Sequence, residues 1–339
     1  MPRIAIDAMG GDHAPGVVVR GSYRVAKEQP EWLLLLVGDQ DAVGKELAAC
    51  GPTLPNIKVV HATEVIGMDE HPVEALRAKR NSSLGVAVGL VQQGQADAVI
   101  SAGNTGALVA ASTLALRHLE GVRRAGIATT LPTLKGRSVI MDVGANVQAK
   151  ASHIAQYATM ADIFYRHVLK TADQKVHVGL LSVGGEEGKG NTVVREAHSL
   201  LTRSALDFLG NVEGHEIFEG RVEVIVCDGL VGNIVLKTAE GLSEILVRMF
   251  MGHAAKQGLG EDDRFRATMK SLGRDLDWRE VGGAILLGVN GVVVIAHGRS
   301  DELAIYSGIR TAADCASQKV NDKIVEALKR EAAKAEAVN

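Results

Sequence analysis

Short apolar, β-branched runs in this chain end repeatedly in a glycine-rich polar loop, and that recurrence constrains the fold more than any other feature. The loops are Asp7-Ala8-Met9-Gly10-Gly11-Asp12-His13, Ser101-Ala102-Gly103-Asn104-Thr105-Gly106, Asp142-Val143-Gly144-Ala145-Asn146, the 184–191 loop with its Gly188-Lys189-Gly190-Asn191 core, and Asp228-Gly229-Leu230-Val231-Gly232-Asn233. The runs before them read as strands over 4–7, 98–101, 138–141, 176–182 and 222–227, with further strands over 33–37 and 57–60. Residues 33–37 are continuously apolar, as in a parallel strand buried on both faces. Helical patterns separate the runs, over 15–28, 39–49, 72–80, 84–93, from the Asn104 loop to about 119, and over 152–169. Pro15 suits a first helical turn. The alternation predicts an α/β fold: a doubly wound, mostly parallel sheet with helices on both faces. Segments 126–131 and 291–297 are expected to add an antiparallel pair.

A chain of 339 residues with 46% hydrophobic and 23% charged side chains can bury a sizeable core. No linker composition marks a boundary. A single catalytic unit is therefore expected over 1–330, with a helical tip or dimer segment at about 241–280. The alanine-rich, charged 331–339 tail is expected to fray.

Net charge is −3 and aromatics are 3%, so neither a positive field nor a stacking surface calls for nucleic acid. Cys50, Cys227 and Cys315 lie far apart without CxxC spacing and read as reduced core thiols, with no metal site implied. The opening residues are too few and too charged for a signal peptide, and no apolar run of about 18 residues exists. The expected compartment is the cytoplasm.

In open α/β sheets the ligand crevice lies outside the carboxyl ends of the strands. Five glycine loops on one edge would line a cleft with backbone N–H groups and helix N-termini, both suited to anions. Candidate binding residues are Gly10, Gly11, His13, Gly103, Asn104, Thr105, Gly106, Asn146 and Asn191. No loop has the GxxxxGK[ST] spacing and no GxGxxG follows the first strand, so no nucleotide cofactor is implied.

Asp7, Asp142 and Asp228 end strands, where a carboxylate can orient donors, take a proton, hold a metal or cap the next helix. His13 and His297 can each donate to an oxyanion. Lys189 sits between two glycines in an otherwise acidic loop and suits phosphate or a developing oxyanion. Arg77, Lys79 and Arg80 precede Asn81-Ser82-Ser83, a basic run that either holds an anion or is solvated.

Taken together, the Ile4–Pro15 segment, Ser101–Ala107, Gly188–Asn191, Asp228–Asn233, Leu287-Gly288-Val289-Asn290-Gly291 and Ala296-His297-Gly298 resemble the bacterial phosphate acyltransferase family (acyl-ACP:phosphate acyltransferase, PlsX). The likeness runs from about residue 3 to 330. One departure is His71, where an acidic residue is expected before Pro72. The resemblance implies a fold related to phosphotransacetylases and to isocitrate and isopropylmalate dehydrogenases. It also implies a reaction in which long-chain acyl-ACP plus inorganic phosphate gives acyl phosphate plus free ACP, feeding glycerol 3-phosphate acylation in phospholipid synthesis. A homodimer, peripheral membrane contact and no cofactor are implied as well. Lys189 and Asn233 are the site residues it marks out.

Phosphate is already a nucleophilic anion at neutral pH, so such a reaction needs positioning and charge stabilisation more than a strong base. The expected division gives phosphate to the glycine loops with Asn104, Thr105 and Lys189. Asn233 and His297 would polarise the thioester, with Asp7 and Asp228 orienting the donors. Two enzyme alternatives are a phosphotransacetylase acting on acyl-CoA and an NAD-dependent decarboxylating dehydrogenase, which needs clustered aspartates for a metal. A non-catalytic scaffold that binds acyl carrier protein is a third.

An apolar stripe, Leu242, Ile245, Leu246, Met249 and Phe250, marks one helix. Phe265, Met269, Leu272 and Leu276 mark another, interleaved with Arg264, Arg266, Lys270 and Arg274. That second segment suits an anionic bilayer, an acidic carrier protein or a dimer partner. Residues 264–274 carry four positive and no negative side chains, but 261–280 carries five positive and six negative, which tempers the membrane reading.

Overall fold

The computed structural model describes residues 1–169, 175–259, 262–275 and 282–338. Its strands are β1 (Arg3–Asp7), β2 (Leu33–Gly38), β3 (Ile57–His61), β4 (Ala98–Ser101), β5 (Gly126–Thr133), β6 (Gly136–Met141), β7 (His177–Leu181), β8 (Asp207–Val212), β9 (Val224–Val226), β10 (Ala284–Leu287) and β11 (Val292–Ile295). The helices are α1 (Gly16–Glu28), α2 (Gln40–Cys50), α3 (Pro72–Ala78), α4 (Ser83–Gln92), α5 (Thr105–Leu116), α6 (Ala151–Phe164), α7 (Thr192–Thr202), α8 (Gly229–Lys256), α9 (Asp263–Asp275), α10 (Glu302–Ser317) and α11 (Val320–Val338). A π-helical turn, Tyr165–Leu169, extends α6.

All eleven strands form one sheet in the order β3-β2-β1-β4-β11-β10-β5-β6-β9-β7-β8. Seven of its ten pairings are parallel: β1 with β2 and β4, β2 with β3, β4 with β11, β6 with β9, and β7 with β8 and β9. The other three, around β10 and β5, are antiparallel. The mostly parallel sheet thus matches expectation.

Period-2 alternation divides the strand side chains between two apolar layers. Ile4, Ile6, Ile100, Met141 and Val226 enter one; Ala5, Val99, Ile140 and Ile225 enter the other. Helices α1, α6, α7, α10 and α11 contribute to the first layer, and α3, α4 and α5 to the second. Each layer runs through both ends of the sheet.

The antiparallel centre overturns one expectation. The carboxyl ends of β1, β4 and β11 leave the sheet on one edge, and those of β6, β7 and β9 on the other. The five glycine loops therefore do not share one edge. The pairing of 126–131 with 291–297 is also corrected: β5 pairs with β6 and β10, while β11 lies parallel to β4. Strand twist of roughly 20–25° per neighbour accumulates to roughly 80–100° over the four steps from β11 to β9, which rotates the two edges toward each other. Helix α8 starts at the end of β9 and reaches the end of β11, where the charges of Lys237 and Glu240 act on His297.

Among the described residues seven helices open on a side-chain cap, α9 through Asp262, which accepts Arg264 N–H and Phe265 N–H. In the other six, Asp39, Ser82, Asn104, Asn191, Asp228 and Asp301 each accept a backbone N–H two or three residues ahead. These caps satisfy orphan donors of the first turn. Helix α11 continues through Val338, across most of the stretch expected to fray. Residues 260–261 and 276–280 of the expected tip, with Leu276 of its stripe, and Asn339 lie outside the described residues.

Candidate active site

At the first edge the loops after β1, β4 and β11 are tied into one unit. Asp12 N–H donates to Gly298 O at 2.8 Å, and Ala296 N–H to Ser101 O at 2.9 Å. Asp7 is buried at the centre of this unit. Its carboxylate accepts the Ser101 hydroxyl at 2.6 Å and Met9 N–H at 3.2 Å, with Ser83 and Gly10 N–H as further donors. Burial pushes its carboxyl above the ordinary value, and these donors pull it back. Asp7 thus joins two loops from the inside and is buried.

The glycines here serve close approach between loops. A Cβ on Gly10 would stand 2.6 Å from Asp7 Oδ2 and 2.7 Å from Gly103 N, and one on Gly106 would stand 2.7 Å from Pro72 Cγ. Gly11 has φ +100°, which favours glycine.

Asn104 is committed to protein partners. Its Oδ1 caps α5 through Ala107 N–H at 3.0 Å, and its Nδ2 donates to the carbonyls of Gly67, Met68 and Glu70 at 3.3, 3.0 and 3.0 Å. Thr105 and His13 remain exposed beside it. His297 is half-buried, and its Nδ1 accepts Arg299 N–H at 3.1 Å, so the neutral ring carries its proton on Nε2. Burial, then the charge of Lys237, holds its pKa below the usual 6.5, against the pull of Glu240 and Asp12.

At the second edge Asp142 is fully buried. It accepts backbone N–H groups from Ile127, Gly144, Ala145 and Asn146 at 2.8–3.1 Å. Burial raises its pKa and these four donors oppose that rise. Asn146 braces the same turn, donating to Ala125 O at 2.6 Å and to the Tyr157 hydroxyl at 2.9 Å. Helix α8 packs onto this turn so tightly that a Cβ on Gly232 would sit 1.9 Å from Asp142 O.

Asp228 caps α8, accepting from Leu230 N–H at 2.9 Å and Val231 N–H at 3.0 Å. Of its alternatives, the cap is the one observed. Asn233, one turn on, is exposed and lies over Gly144, whose φ is +138°. On the neighbouring β7 loop Asn191 caps α7 through Val194 N–H at 2.9 Å. Lys189 projects outward, 4.0 Å from Glu186.

The structure therefore separates the expected residues into two kinds. Asp7, Asn104, Asn146, Asn191 and Asp228 hold backbone in place. His13, Thr105, Lys189 and Asn233 are exposed, and His297 is half-buried. Lys79, in the basic run, is turned onto Glu70 and Val65 O and is not displayed to an anion. The Leu287–Gly291 motif forms the β10–β11 hairpin, where Gly288 O accepts Leu119 N–H at 2.9 Å. Sequence reasoning missed Ser101, Tyr157, and the Lys237–Glu240 pair at 2.8 Å. The i,i+3 spacing of that pair on a helix was the available signal. Among the described residues no group of three or more His, Cys, Asp or Glu side chains could hold a metal ion.

The family described as "Fatty acid synthesis protein" matches residues 2–323. The phosphate acyltransferase of Desulforamulus reducens is 44% identical over 337 residues, covering 98% of each chain. That of Trichlorobacter lovleyi is 44% identical over 331 residues, covering 96% of this chain and 94% of its own. That of Geobacter sulfurreducens is 41% identical over 333 residues, covering 97% and 95%. Among solved structures, a phosphotransacetylase from Streptococcus pyogenes superposes with a TM-score of 0.64 at 19% identity over 94% of both chains. A 4-hydroxythreonine-4-phosphate dehydrogenase from Klebsiella pneumoniae gives 0.52 at 15% identity, covering 93% and 99%. These two distant likenesses establish the shared fold. The chain belongs to the phosphate acyltransferase family and is an enzyme of the acyltransferase class.

Proposed function

We propose that the enzyme transfers a long-chain acyl group from acyl carrier protein to inorganic phosphate, giving acyl phosphate and the free carrier thiol. Acyl phosphate is an activated donor, suited to acylating glycerol 3-phosphate in phospholipid synthesis. The observation that carries the reading is the sorting of polar residues. Asp7, Asp142 and Asp228 are spent on hydrogen bonds within the protein, while Lys189 and Asn233 are exposed and His297 is half-buried. A cleft of that kind suits an anionic nucleophile that needs no general base.

Lys189, Thr105 and the first N–H groups of α5 hold phosphate in this scheme. Asn233 and the Nε2–H of neutral His297 polarise the thioester carbonyl and then bind the tetrahedral oxyanion. A phosphate oxygen attacks the carbonyl carbon, the C–S bond breaks, and the thiolate takes a proton from solvent. Asn233 is placed for this by the Asp228 cap and by the bare Gly144 turn beneath it.

Purified protein mixed with acyl-ACP and phosphate, then with hydroxylamine, should yield acyl hydroxamate. Acetyl-CoA as the donor is the competing arm. Hydroxamate from acetyl-CoA but not from acyl-ACP would replace this reading with a phosphotransacetylase.

The exposed α8 stripe of Leu242, Ile245, Leu246, Met249 and Phe250 is assigned to a second copy of the chain. Phe250 stacks on Phe265 of α9, centroids 6.3 Å apart, so the two helices present one apolar surface. The 261–280 segment is assigned to peripheral membrane contact; no described helix is long and apolar enough to cross a membrane. Light scattering of a monomer would remove the first assignment. Failure to sediment with anionic liposomes at low salt would remove the second.

A further inference from the structure

The 64–71 segment is tied down beside the candidate site by Asn104, Lys79 and Ser83. Asn104 Nδ2 holds three of its carbonyls, those of Gly67, Met68 and Glu70. Lys79 Nζ holds the Val65 carbonyl at 2.7 Å and the Glu70 carboxylate. That carboxylate in turn accepts Gly67 N–H at 2.7 Å. The far end is pinned where Glu64 O accepts Ser83 N–H at 3.0 Å.

Two of the exposed side chains on this fixed backbone, Val65 and Met68, are apolar, beside the exposed Asp69 and His71. Val65 is 41% exposed and Met68 45% exposed. Met68 is not at random in solvent. Its methyl lies against Gly298, where a Cβ would come within 2.9 Å of Met68 Cε. Gly298 directly follows His297, the residue assigned to the thioester carbonyl. A long, unbranched and polarizable side chain there is a good surface for an alkyl chain.

We infer that Met68 is the apolar contact for the acyl chain next to the thioester, and that Asn104 is the positioning residue that sets where Met68 stands. The inference rests on the acyl-transfer reading above and extends it to the acyl group. Asn104 acts through the 67–70 backbone and does not touch phosphate: its single carboxamide nitrogen already serves three carbonyls.

Two substitutions separate the roles. Asn104→Ser keeps a neutral helix cap but removes the carboxamide N–H groups, because serine caps about as well as asparagine. Met68→Ala leaves the clamp intact and removes the contact. Each should raise KM for long-chain acyl-ACP by about tenfold, the scale of one lost apolar pocket contact, and leave KM for phosphate unchanged. Each should also flatten the preference for long over short acyl chains. The double variant should be no worse than Met68→Ala, since both changes act on one contact.

The clamp has a readout independent of activity. Amides of 64–71 should exchange with deuterium faster in Asn104→Ser than in the parent protein, and Met68→Ala should leave them unchanged. Equal exchange in Asn104→Ser and parent would overturn the clamp. A rise in KM for phosphate alone would return Asn104 to phosphate binding. A parent enzyme forming acyl phosphate with a Met68→Ala profile equal to its own would overturn the acyl contact alone. Failure of the parent to form acyl phosphate would remove the underlying reading and the acyl contact with it, while the exchange result would still decide the clamp.

Discussion

Ser101 donates its hydroxyl to Asp7 Oδ2 at 2.6 Å, and Ser101 Oγ accepts Gly103 N–H at 3.0 Å, so one hydroxyl joins the loops after β1 and β4. Ser101→Ala removes a donor from a buried carboxyl and the acceptor of a buried N–H. The expected cost is about 1–3 kcal/mol of stability, measured by urea unfolding. Turnover of the folded fraction should change little, because neither residue faces the cleft. Loss of turnover in a fully folded variant would show that Asp7 takes part in the reaction.

Lys189→Ala and Asn233→Ala should each lower kcat by about 10²–10³-fold, the usual effect of deleting one charge-stabilising donor. Circular dichroism should be unaltered, since both side chains are exposed. Rapid-quench measurement of acyl phosphate would check this, and parent-like rates in either variant would remove that residue from the mechanism.

The acid limb of activity should report His297. Its folded-state pKa lies below the usual 6.5, chiefly through burial and then Lys237. A depressed histidine pKa means that folding favours the neutral ring. That contribution is present above about pH 6.5 and is lost as pH falls through the lower folded value. Protonation there also puts a hydrogen on Nδ1 and breaks its bond with Arg299 N–H. Activity should therefore persist somewhat below pH 6.5 before falling. Lys237→Gln removes a positive neighbour and leaves Glu240 unopposed, so the limb should move to higher pH; an unmoved midpoint would exclude His297 as its source.

Gly232→Ala tests how α8 is seated. Its Cβ would overlap the Asp142 carbonyl oxygen at 1.9 Å, and backbone cannot step aside as a side-chain tip can. A loss of at least about 1–3 kcal/mol is expected. Asp228→Ala should cost about 0.5–2 kcal/mol through the lost cap, and Asp228→Ser should recover most of it. Thermal unfolding distinguishes the three variants; an Asp228→Ser protein as weak as Asp228→Ala would show that the carboxylate does more than cap.

Much of the layout was legible in the residues. Apolar runs and glycine loops located β1, β2, β4, β6, β7 and β9, and polar residues before apolar periods located the helix starts. Strand direction was not legible, because a buried strand reads the same up or down. The reversal is made by β5 and β10, and β10 is only four residues, Ala284–Leu287, entered through Gly282-Gly283 and too short to show a period. Strand β8 was missed for a similar reason: Gly210 and Asn211 interrupt its apolar pattern. The candidate residues were found by type, but their roles depend on which way each side chain turns. Asn104 and Asn233 both follow glycine-rich turns; one is consumed by four backbone partners and the other faces out.

The strands that join the two halves of the sheet are the last ones in the chain. β10 and β11 lie between β4 and β5 yet come from residues 284–295. During synthesis β4 and β5 must wait with open edges until residues 284–295 emerge, a state prone to wrong pairing. A chain ending before β10 should accumulate as aggregates, whereas one ending after α10 should stay soluble. Completion of the sheet is thus coupled to synthesis through residue 295, and a product terminated before β10 cannot assemble the edge that carries His297.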